Sequence, residues 1–445
     1  MSKSLTVRSI SKSLIARSAP ISYTAPVNPP PASTKAVLFI SVITHHFWIF
    51  LRAMCGVQRA PDLHTCTCHF HTCTLATFPR FYHLIAPKER PMWFFRSPRI
   101  VFGEEALDEL TQLEGRRAFI VTDNNMVQLG FAARVREALE ESGLQVSIFS
   151  DVEPDPSLPT VERCARQMEQ DAPDWIIGLG GGSSLDAAKA AWFRYERPDV
   201  PLEAVNPFEQ FGLGGKAHLV TIPTTAGSGA EVTTAAVIKD PEELRKLEVA
   251  SYELLPSLSI VDPFFTTHLP PQVTADTGID VLTHAVEAFS STWSNDFSDG
   301  LALQAARQVF TYLPRAYKYG AEDAEARIHM ANAATLGGLA INNSHIALAH
   351  ALGHSAGALF GIPHGRVTGL LLPYTIEFTT RGGQGRYEGL ARILGLPHED
   401  GKSAGLSLAE AIRKLLQELG QPLTLREAGV SPETLEARLD GLCDR

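Results

Sequence analysis

Residues 174–190 read DWIIGLGGGSSLDAAKA, an apolar run followed by three consecutive glycines and then by helix-forming residues. This order predicts a buried strand, a tight turn and a helix. Glycine permits a close approach of the backbone to a ligand, and a helix N-terminus favours an anion. The turn is therefore a candidate cradle for a cofactor pyrophosphate. The alternative is a tight strand-to-helix connection with no ligand, which stays open because the glycines lack the G-x-G-x-x-G spacing of the usual dinucleotide fingerprint. The turn residues are Gly180, Gly181, Gly182, Ser183 and Ser184.

Strand-like and helix-like runs alternate on both sides of this stretch. Strands are predicted in residues 116–123, 144–150, 174–180, 217–225 and 258–263, and helices in residues 130–143, 160–172 and 184–193. Such alternation is typical of βαβ units, in which helices cover a parallel sheet. We therefore expect an α/β domain over residues 92–269.

The pattern changes at Pro270 and Pro271. Almost every later run has helical periodicity, and helices are predicted in residues 273–291, 299–320, 324–342, 346–365 and 407–420. We therefore expect an all-helical domain over residues 270–445.

The first 91 residues differ in composition from the rest. They hold ten Lys or Arg but two acidic side chains, so subtracting their charge of +8 from the total of −10 leaves −18 for the remainder. We interpret this segment as a non-native extension upstream of a natural start at Met92, as a targeting segment, or as a metal-binding module rich in Cys and His. The acidic remainder argues against a nucleic-acid binder. The apolar run at 36–51 is short for a membrane span, so we expect no membrane partner.

Two further strand ends carry polar residues. Asp123 ends the strand at 116–123, where a carboxylate accepts hydrogen bonds from ribose hydroxyls and repels a 2′-phosphate, or simply caps the next turn. The loop IPTTAGSGAEVT at 222–233 offers Thr224, Thr225 and Ser228 to a phosphate or a nicotinamide. Ligands of open α/β sheets sit at the carboxyl ends of the strands, so these positions predict an NAD site.

Two helical runs each present a pair of metal-type ligands four residues apart. Asp280 and His284 form one pair, and His350 and His354 form the other, with His364 ten residues later. Residues at i and i+4 share one face of a helix. The histidines are either core residues with hydrogen-bond partners or ligands of a metal such as Fe²⁺ or Zn²⁺. Glu287, one turn after His284, is a candidate for orienting a ligand.

The chain resembles the iron-containing (group III) alcohol dehydrogenase family. The resemblance covers roughly residues 92–400 and rests on four motifs in the same order: GGGSSLDAAKA (180–190), PTTAGSGAEVT (223–233), GIDVLTHAVEAF (278–289) and AHALGHSAGALFGIPHG (349–365). It implies a dinucleotide-binding α/β domain with a parallel sheet, followed by an all-helical metal-binding domain, as in dehydroquinate synthase. The carboxyl end, residues 431–445, is expected to stop before the helix that usually completes the second domain.

The same resemblance assigns roles to individual residues. Asp280, His284, His350 and His364 are the implied metal ligands, and His354 is the implied catalytic histidine near the nicotinamide. Asp123 is associated with a preference for NAD, and a lysine near the cofactor corresponds to Lys246. The complete implied set of cofactor-binding residues is Asp123, Gly180, Gly181, Gly182, Ser183, Ser184, Asp186, Thr224, Thr225, Ser228 and Lys246.

The resemblance implies an NAD(H)- and metal-dependent alcohol dehydrogenase or aldehyde reductase. Its metal polarises the aldehyde oxygen, NADH delivers hydride, and His354 or a water beside it carries the proton. A homo-oligomer in the cytoplasm is expected, or a mitochondrial protein if residues 1–91 are a targeting segment. The alternatives are a dehydroquinate synthase-like or maleylacetate reductase-like enzyme, which would need more cations for an anionic substrate, and a non-catalytic metal- or nucleotide-binding protein.

Overall fold

The computed structural model describes residues 94–443 apart from residues 244 and 384. The hypotheses about residues 1–91 and about Met92 concern positions outside this range. Within it, alternating strands and helices come first, and a series of helices follows.

One six-stranded sheet is the centre of the first part of the described chain. Its strands are β1 (Arg99–Phe102), β2 (Arg117–Val121), β3 (Gln145–Phe149), β4 (Trp175–Gly180), β5 (His218–Pro223) and β8 (Leu258–Val261). The order across the sheet is β1-β8-β5-β4-β2-β3, and all neighbouring pairs are parallel. The carboxyl ends of the strands therefore meet at one edge, where the connecting loops lie together.

Helices cover both faces of this sheet. They are α1 (Asn124–Gln128), α2 (Phe131–Glu141), α3 (Leu158–Asp171) and α4 (Gly182–Glu196). Phe119 of β2 packs in a cluster with residues of α3 and α4, whereas its neighbour Ile120 packs in a second cluster with α2. Successive residues of a strand point to opposite faces, which explains why buried strands read as continuous apolar runs.

An antiparallel hairpin separates β5 from β8 in the sequence. It consists of β6 (Ala235–Asp240) and β7 (Arg245–Ala250). The backbone N–H of Lys239 donates to the carbonyl of Pro156 at 2.7 Å, in the loop that follows β3. The sequence pattern did not predict this hairpin, which contacts α4 and lies beside that loop.

The second part of the described chain is helical. Its helices are α5 (Pro271–Ser290), α6 (Asp296–Tyr319), α7 (Ala324–Asn342), α8 (Leu348–Phe360), α9 (His364–Arg381), α10 (Glu388–Ile393), α11 (Gly401–Glu418) and α12 (Pro432–Cys443). Helix α5 packs against α6, α7 and α9, and its residues from Gly278 to Phe289 are all buried. Polar side chains on this stretch therefore need partners inside the protein.

The predicted fold class, a parallel α/β part followed by a helical part, is confirmed. The domain boundary near residue 270 stays a prediction, although β8 ends at Val261 and α5 begins at Pro271. Among the described helices, none combines the length and the apolar composition that a membrane span requires.

Candidate metal and cofactor site

The glycine turn lies between β4 and α4 with almost no free space beside it. Gly180 has φ +147°, and a Cβ there would lie 2.5 Å from the Ser184 hydroxyl oxygen. A Cβ at Gly181 would lie 3.2 Å from Thr225, and one at Gly182 would lie 3.2 Å from Ser228. The turn and the loop after β5 therefore contact each other through backbone and small side chains, as a site for close backbone approach requires.

The carboxylate of Asp123 lies beside the start of α4. One oxygen caps α1 by accepting from the backbone N–H groups of Asn125 and Met126, at 2.8 and 3.3 Å. The other accepts from the Ser184 hydroxyl at 3.2 Å. Asp123 therefore has the capping role that the sequence left open, and its contact with a ribose stays a prediction.

The other predicted cofactor residues lie around this turn. The Ser183 hydroxyl accepts from the backbone N–H of Asp155 at 3.2 Å, and Lys246 forms an ion pair with Asp155 at 2.7 Å. The backbone N–H of Thr224 donates to Gly180 at 2.9 Å. Asp186 accepts from the backbone N–H of Val237 in β6 at 3.0 Å, and burial raises the pKa of Asp186 to about 6. Asp186 and Lys246 thus each link the hairpin to residues near the glycine turn, because Asp186 belongs to α4 and Lys246 pairs with Asp155, which contacts Ser183.

Asp280 and His284 of α5 and His350 of α8 bring their ligand atoms together in the interior. One ligand atom from each lies within 4.8 Å of the others, and all three residues are buried. Nε2 of His284 is 3.9 Å from Asp280 Oδ2, and Nε2 of His350 is 3.6 Å from Asp280 Oδ1. The Thr368 hydroxyl donates to Asp280 Oδ1 at 3.1 Å. This is a mixed nitrogen and oxygen donor set of the kind that Fe²⁺ and Zn²⁺ bind.

The donor atoms of this cluster fit a cation. Nδ1 of His284 and Nε2 of His350 are buried and have no hydrogen-bond partner among the described residues. A buried polar atom without a partner is costly, so the Nε2 of His350, which faces Asp280, fits the role of a metal ligand. Burial alone would raise the pKa of Asp280, but His284 and His364 hold it well below its usual range. Burial lowers the pKa of His284 to about 4, which keeps its lone pair free for a metal.

Glu287 orients His350. Its carboxylate accepts from His350 Nδ1 at 2.6 Å and from the backbone N–H groups of Ala347 and Ala349 at 3.0 and 2.5 Å. Burial lowers the pKa of His350 by itself, but Glu287 and Asp280 together raise it to about 10 in the absence of a metal. A carboxylate on the far nitrogen of a ligating imidazole fixes its ring and raises its basicity.

Replacing Glu287 with glutamine should weaken metal binding by about 10- to 100-fold, because the partner of His350 Nδ1 loses its charge. Competition with a chromogenic chelator would measure this affinity. The Glu253→Gln variant is the control, since Glu253 also accepts from two backbone N–H groups, those of Phe211 and Leu213, at 2.7 Å each. Equal metal affinities for the two variants would contradict a role for Glu287 in orienting the ligand.

His364 and His354 lie at the side of the metal cluster. His364 is the first residue of α9; its Nε2 is 3.6 Å from Asp280 Oδ1, and its side chain is 40% exposed. The rings of His354 and His364 have centroids 5.1 Å apart. Burial lowers the pKa of His354 to about 4, which makes this imidazole neutral at pH 7, and partial burial together with the nearby His350 and His284 lowers the pKa of His364. The three predicted histidine ligands therefore surround Asp280, the fourth, and His354 lies next to them.

The start of α9 lies directly against α5. A Cβ at Gly365 would overlap the backbone oxygen of Asp276. Arg366 also forms two hydrogen bonds with the Asp276 carboxylate, at 3.0 and 2.9 Å. These contacts determine how closely His364 approaches Asp280.

Sequence reasoning missed three buried polar residues near the site: Lys189 and Glu231, which lie within the recognised motifs, and Thr368. The signal for the first two was a charged residue in a run of small and apolar residues, as in LDAAKA and GAEVT. No local signal distinguished Thr368, since its partner Asp280 is far away in the sequence.

Several proteins named as alcohol or aldehyde dehydrogenases are similar to this chain. The NADPH-dependent butanol dehydrogenase of Clostridium saccharobutylicum is 36% identical over 80% of this chain and 91% of its own length. Aldehyde-alcohol dehydrogenase 2 of Entamoeba histolytica is 42% identical over 64% of this chain but only 34% of its own length. This chain thus corresponds to about a third of that longer protein. Among solved structures, a sulfoacetaldehyde reductase from Bifidobacterium kashiwanohense in complex with NAD⁺ has a TM-score of 0.71 and 29% identity, covering 80% of this chain and 93% of the other.

Two family models match the described chain in succession. The model for iron-containing alcohol dehydrogenase matches residues 97–263, and the model for the C-terminal part of the Fe-containing alcohol dehydrogenase family matches residues 274–441. The first match spans the parallel sheet with the glycine turn, and the second spans the helices with the His and Asp cluster. The chain is an oxidoreductase that acts on alcohols or aldehydes, and it belongs to the iron-containing alcohol dehydrogenase family.

Proposed function

We propose that this enzyme transfers hydride between the nicotinamide of NAD(H) and a small primary alcohol or aldehyde. Asp280, His284, His350 and His364 would hold a divalent metal, Fe²⁺ or Zn²⁺. The observation that carries this proposal is the buried cluster in which the ligand atoms of Asp280, His284 and His350 lie within 4.8 Å of one another. The butanol dehydrogenase relative supports a short alcohol as substrate.

The protein's own residues hold the proposed metal ligands in place and bury them. When bound, the metal supplies Lewis acidity at the carbonyl oxygen, and the nicotinamide exchanges the hydride. Glu287 and Thr368 hold His350 and Asp280 in place through hydrogen bonds of 2.6 and 3.1 Å. Asp280, His284 and His350 are almost fully buried, which strengthens the electrostatic interactions among them. His354, a neutral imidazole close to His364, is our candidate for moving a proton to or from the substrate oxygen.

The proposed preference for NAD rests on Asp123. Its carboxylate lies after β2 and contacts Ser184 at the start of α4. A carboxylate in this place disfavours the 2′-phosphate of NADP. The butanol dehydrogenase relative is NADPH-dependent, so cofactor choice within such sequences depends on individual residues rather than on the fold.

The charged side chains near the site favour a substrate with little charge. Lys246 is paired with Asp155, and Arg366 is paired with Asp276. Cations that already have carboxylate partners are poorly suited to bind a second set of anionic groups. This observation favours simple aldehydes over the carboxylated substrates of dehydroquinate synthase-like and maleylacetate reductase-like enzymes.

Chelator-sensitive oxidation of NADH by short aldehydes tests this proposal. The full chain would be loaded anaerobically with Fe²⁺ or Zn²⁺, and NADH absorbance would be followed against a panel from ethanal to hexanal. We expect turnover that a chelator abolishes and that added metal restores. Protein that binds NADH but turns over no aldehyde with either metal would support the non-catalytic alternative instead. Self-association and a cytoplasmic location also stay proposals.

A further inference from the structure

The loop at residues 224–234, which we call the β5–β6 loop, contacts the glycine turn on one side and the helical part on the other. A Cβ placed at Gly181 would lie 3.2 Å from Thr225, and one placed at Gly182 would lie 3.2 Å from Ser228. On the other side, a Cβ at Gly227 would lie 2.5 Å from Thr277 Cβ in α5. Thr277 precedes Asp280 by one turn of that helix, so one short loop connects the predicted cofactor turn to the metal-bearing helix.

The same loop also lies directly on α7. A Cβ at Gly229 would overlap the Cα of Gly338. The backbone N–H and the hydroxyl of Thr234 both donate to Asn342 Oδ1, at 2.9 and 3.0 Å. The backbone of the loop therefore has little freedom to shift along α7 without losing these contacts.

Lys189 of α4 holds the far end of the β5–β6 loop from inside the protein. Its side chain is fully buried. Its ammonium group donates to the Thr233 carbonyl at 2.6 Å, to the Thr233 hydroxyl at 3.0 Å and to the Ala235 carbonyl at 3.0 Å. These three acceptors use the full donor capacity of a lysine, so Lys189 is committed to the loop and is not available to a ligand.

Glu231 supplies the opposite charge within the loop itself. It is 1% exposed, and its carboxylate accepts from the Thr335 hydroxyl of α7 at 2.8 Å. Burial raises the pKa of Glu231, whereas the charge of Lys189 acts in the other direction and favours the ionised form. The backbone carbonyl of Glu231 also accepts from the Thr221 hydroxyl in β5 at 3.0 Å. Glu231 therefore joins the sheet, the loop and α7.

Stability alone does not explain the buried charges of Lys189 and Glu231, because well-packed apolar residues often replace buried charged groups at no cost in stability. Charged groups differ from apolar ones in fixing one arrangement of their partners. The cluster does not contact the metal ligands through any hydrogen bond found among the described residues. Its distinctive property is that it holds the end of the β5–β6 loop, which contacts the glycine turn through Thr225 and Ser228 and α5 through Gly227.

We propose that Glu231 and Lys189 are positioning residues for hydride transfer, because they fix the β5–β6 loop and thereby the cofactor relative to the metal-bearing helix. This inference rests on the proposed function. A displacement of about 1 Å between reacting groups costs on the order of 10²-fold in rate, so loosening the loop should affect the chemical step more than the binding of either substrate.

Replacing Glu231 with glutamine tests the inference. Glutamine keeps an oxygen for Thr335 but removes the negative charge that interacts with Lys189. With butanal and NADH we expect kcat to fall by about 10- to 100-fold, while the KM for butanal and the NADH dissociation constant from fluorescence change by less than about threefold. NADH with deuterium at both C4 positions should give a larger primary isotope effect than in the parent enzyme, because hydride transfer becomes rate-limiting.

A second readout needs neither metal nor turnover. In the metal-free protein, amide hydrogen exchange in residues 224–235 should be faster in the Glu231→Gln variant, and exchange in β2 should not change. Thr335→Val, which removes only the hydroxyl partner of Glu231, should also make amide hydrogen exchange in residues 224–235 faster. Glu196→Gln is the matched control, because Glu196 ends α4 and its buried carboxylate accepts from the backbone N–H groups of Lys216 and Ala217. It should leave the exchange of the loop and the isotope effect unchanged.

Two results would overturn the inference. One is a Glu231→Gln variant with the exchange rate, kcat and isotope effect of the parent enzyme. The other is a loss of kcat that Glu196→Gln reproduces, which would indicate general destabilisation. If the parent enzyme oxidises no NADH with butanal or any other aldehyde, the proposed function is contradicted. The exchange experiment still tests the loop, because unchanged hydrogen exchange in the metal-free Glu231→Gln variant would also overturn the inference.

Discussion

Replacing Asp280 with asparagine should lower kcat/KM for aldehyde reduction by about 10³-fold or more, since Lewis-acid stabilisation supplies several kcal/mol and each 1.36 kcal/mol is tenfold in rate. Asp280 lies within 4 Å of His284, His350 and His364 and provides the negative charge of the cluster. An amide keeps the shape of the side chain but not its charge. Metal content per chain, measured by mass spectrometry after dialysis, should fall together with activity.

The control for this variant is Asp240→Asn. Asp240 is similarly buried, at 6% exposed against 4% for Asp280, and accepts from the backbone N–H groups of Glu242 and Glu243 in the hairpin turn. It should keep its metal and most of its activity. A metal-replete and fully active Asp280→Asn enzyme would rule out Asp280 as a ligand and with it the proposed metal centre.

Replacing Gly365 with alanine should lower the free energy of unfolding by about 1–3 kcal/mol, the usual cost of overpacking, and should also weaken metal binding. The added methyl group would overlap the backbone oxygen of Asp276 and would lie 3.0 Å from the Cβ of Asp280. Backbone atoms yield less readily than a flexible side chain, so α9 must move away from α5 and take His364 with it. Urea titration and metal competition would measure the two effects.

Gly300→Ala is the control for the Gly365 variant. Gly300 lies inside α6, and no heavy atom of the described chain lies within 4 Å of a Cβ placed there. Alanine is the better helix former by up to about 1 kcal/mol, so this variant should be as stable as the parent or more stable. If Gly365→Ala behaved in the same way, the close contact of α9 with α5 would not determine the geometry of the site.

The parallel sheet was predictable because its strands are buried on both faces. Runs such as 175–180 and 219–223 are apolar apart from Thr221 and stand between amphipathic helices, a pattern that few other folds produce. β1 and the β6–β7 hairpin were not predicted. β1 has four residues, RIVF, too few for a clear period. In AAVIKD every second residue is buried, but the polarity of the residues does not follow this alternation, because the buried positions include Asp240. RKLEVA has a single buried residue, Val249.

The metal ligands were recognisable because residues four apart in the sequence lie next to each other on a helix. Asp280 and His284 share a face through i,i+4 spacing alone. The contacts between elements that are distant in the sequence were not predictable in the same way. Glu231 meets Thr335, and Asp186 meets the backbone of Val237, across long stretches of chain. Only the tertiary fold brings these pairs together, so a local sequence motif can contain a functional residue but cannot predict which distant residue it contacts.

The four proposed ligands come from three separate helices, α5, α8 and α9. An ion that binds only this folded arrangement acts as a reversible cross-link between them, and by thermodynamic linkage it adds about 2.7 kcal/mol to folding at a free concentration of one hundred times its dissociation constant. The loaded and empty forms of the chain would then differ in resistance to unfolding and to proteolysis. The metal supply of the cell would thereby set the lifetime of this enzyme as well as its rate.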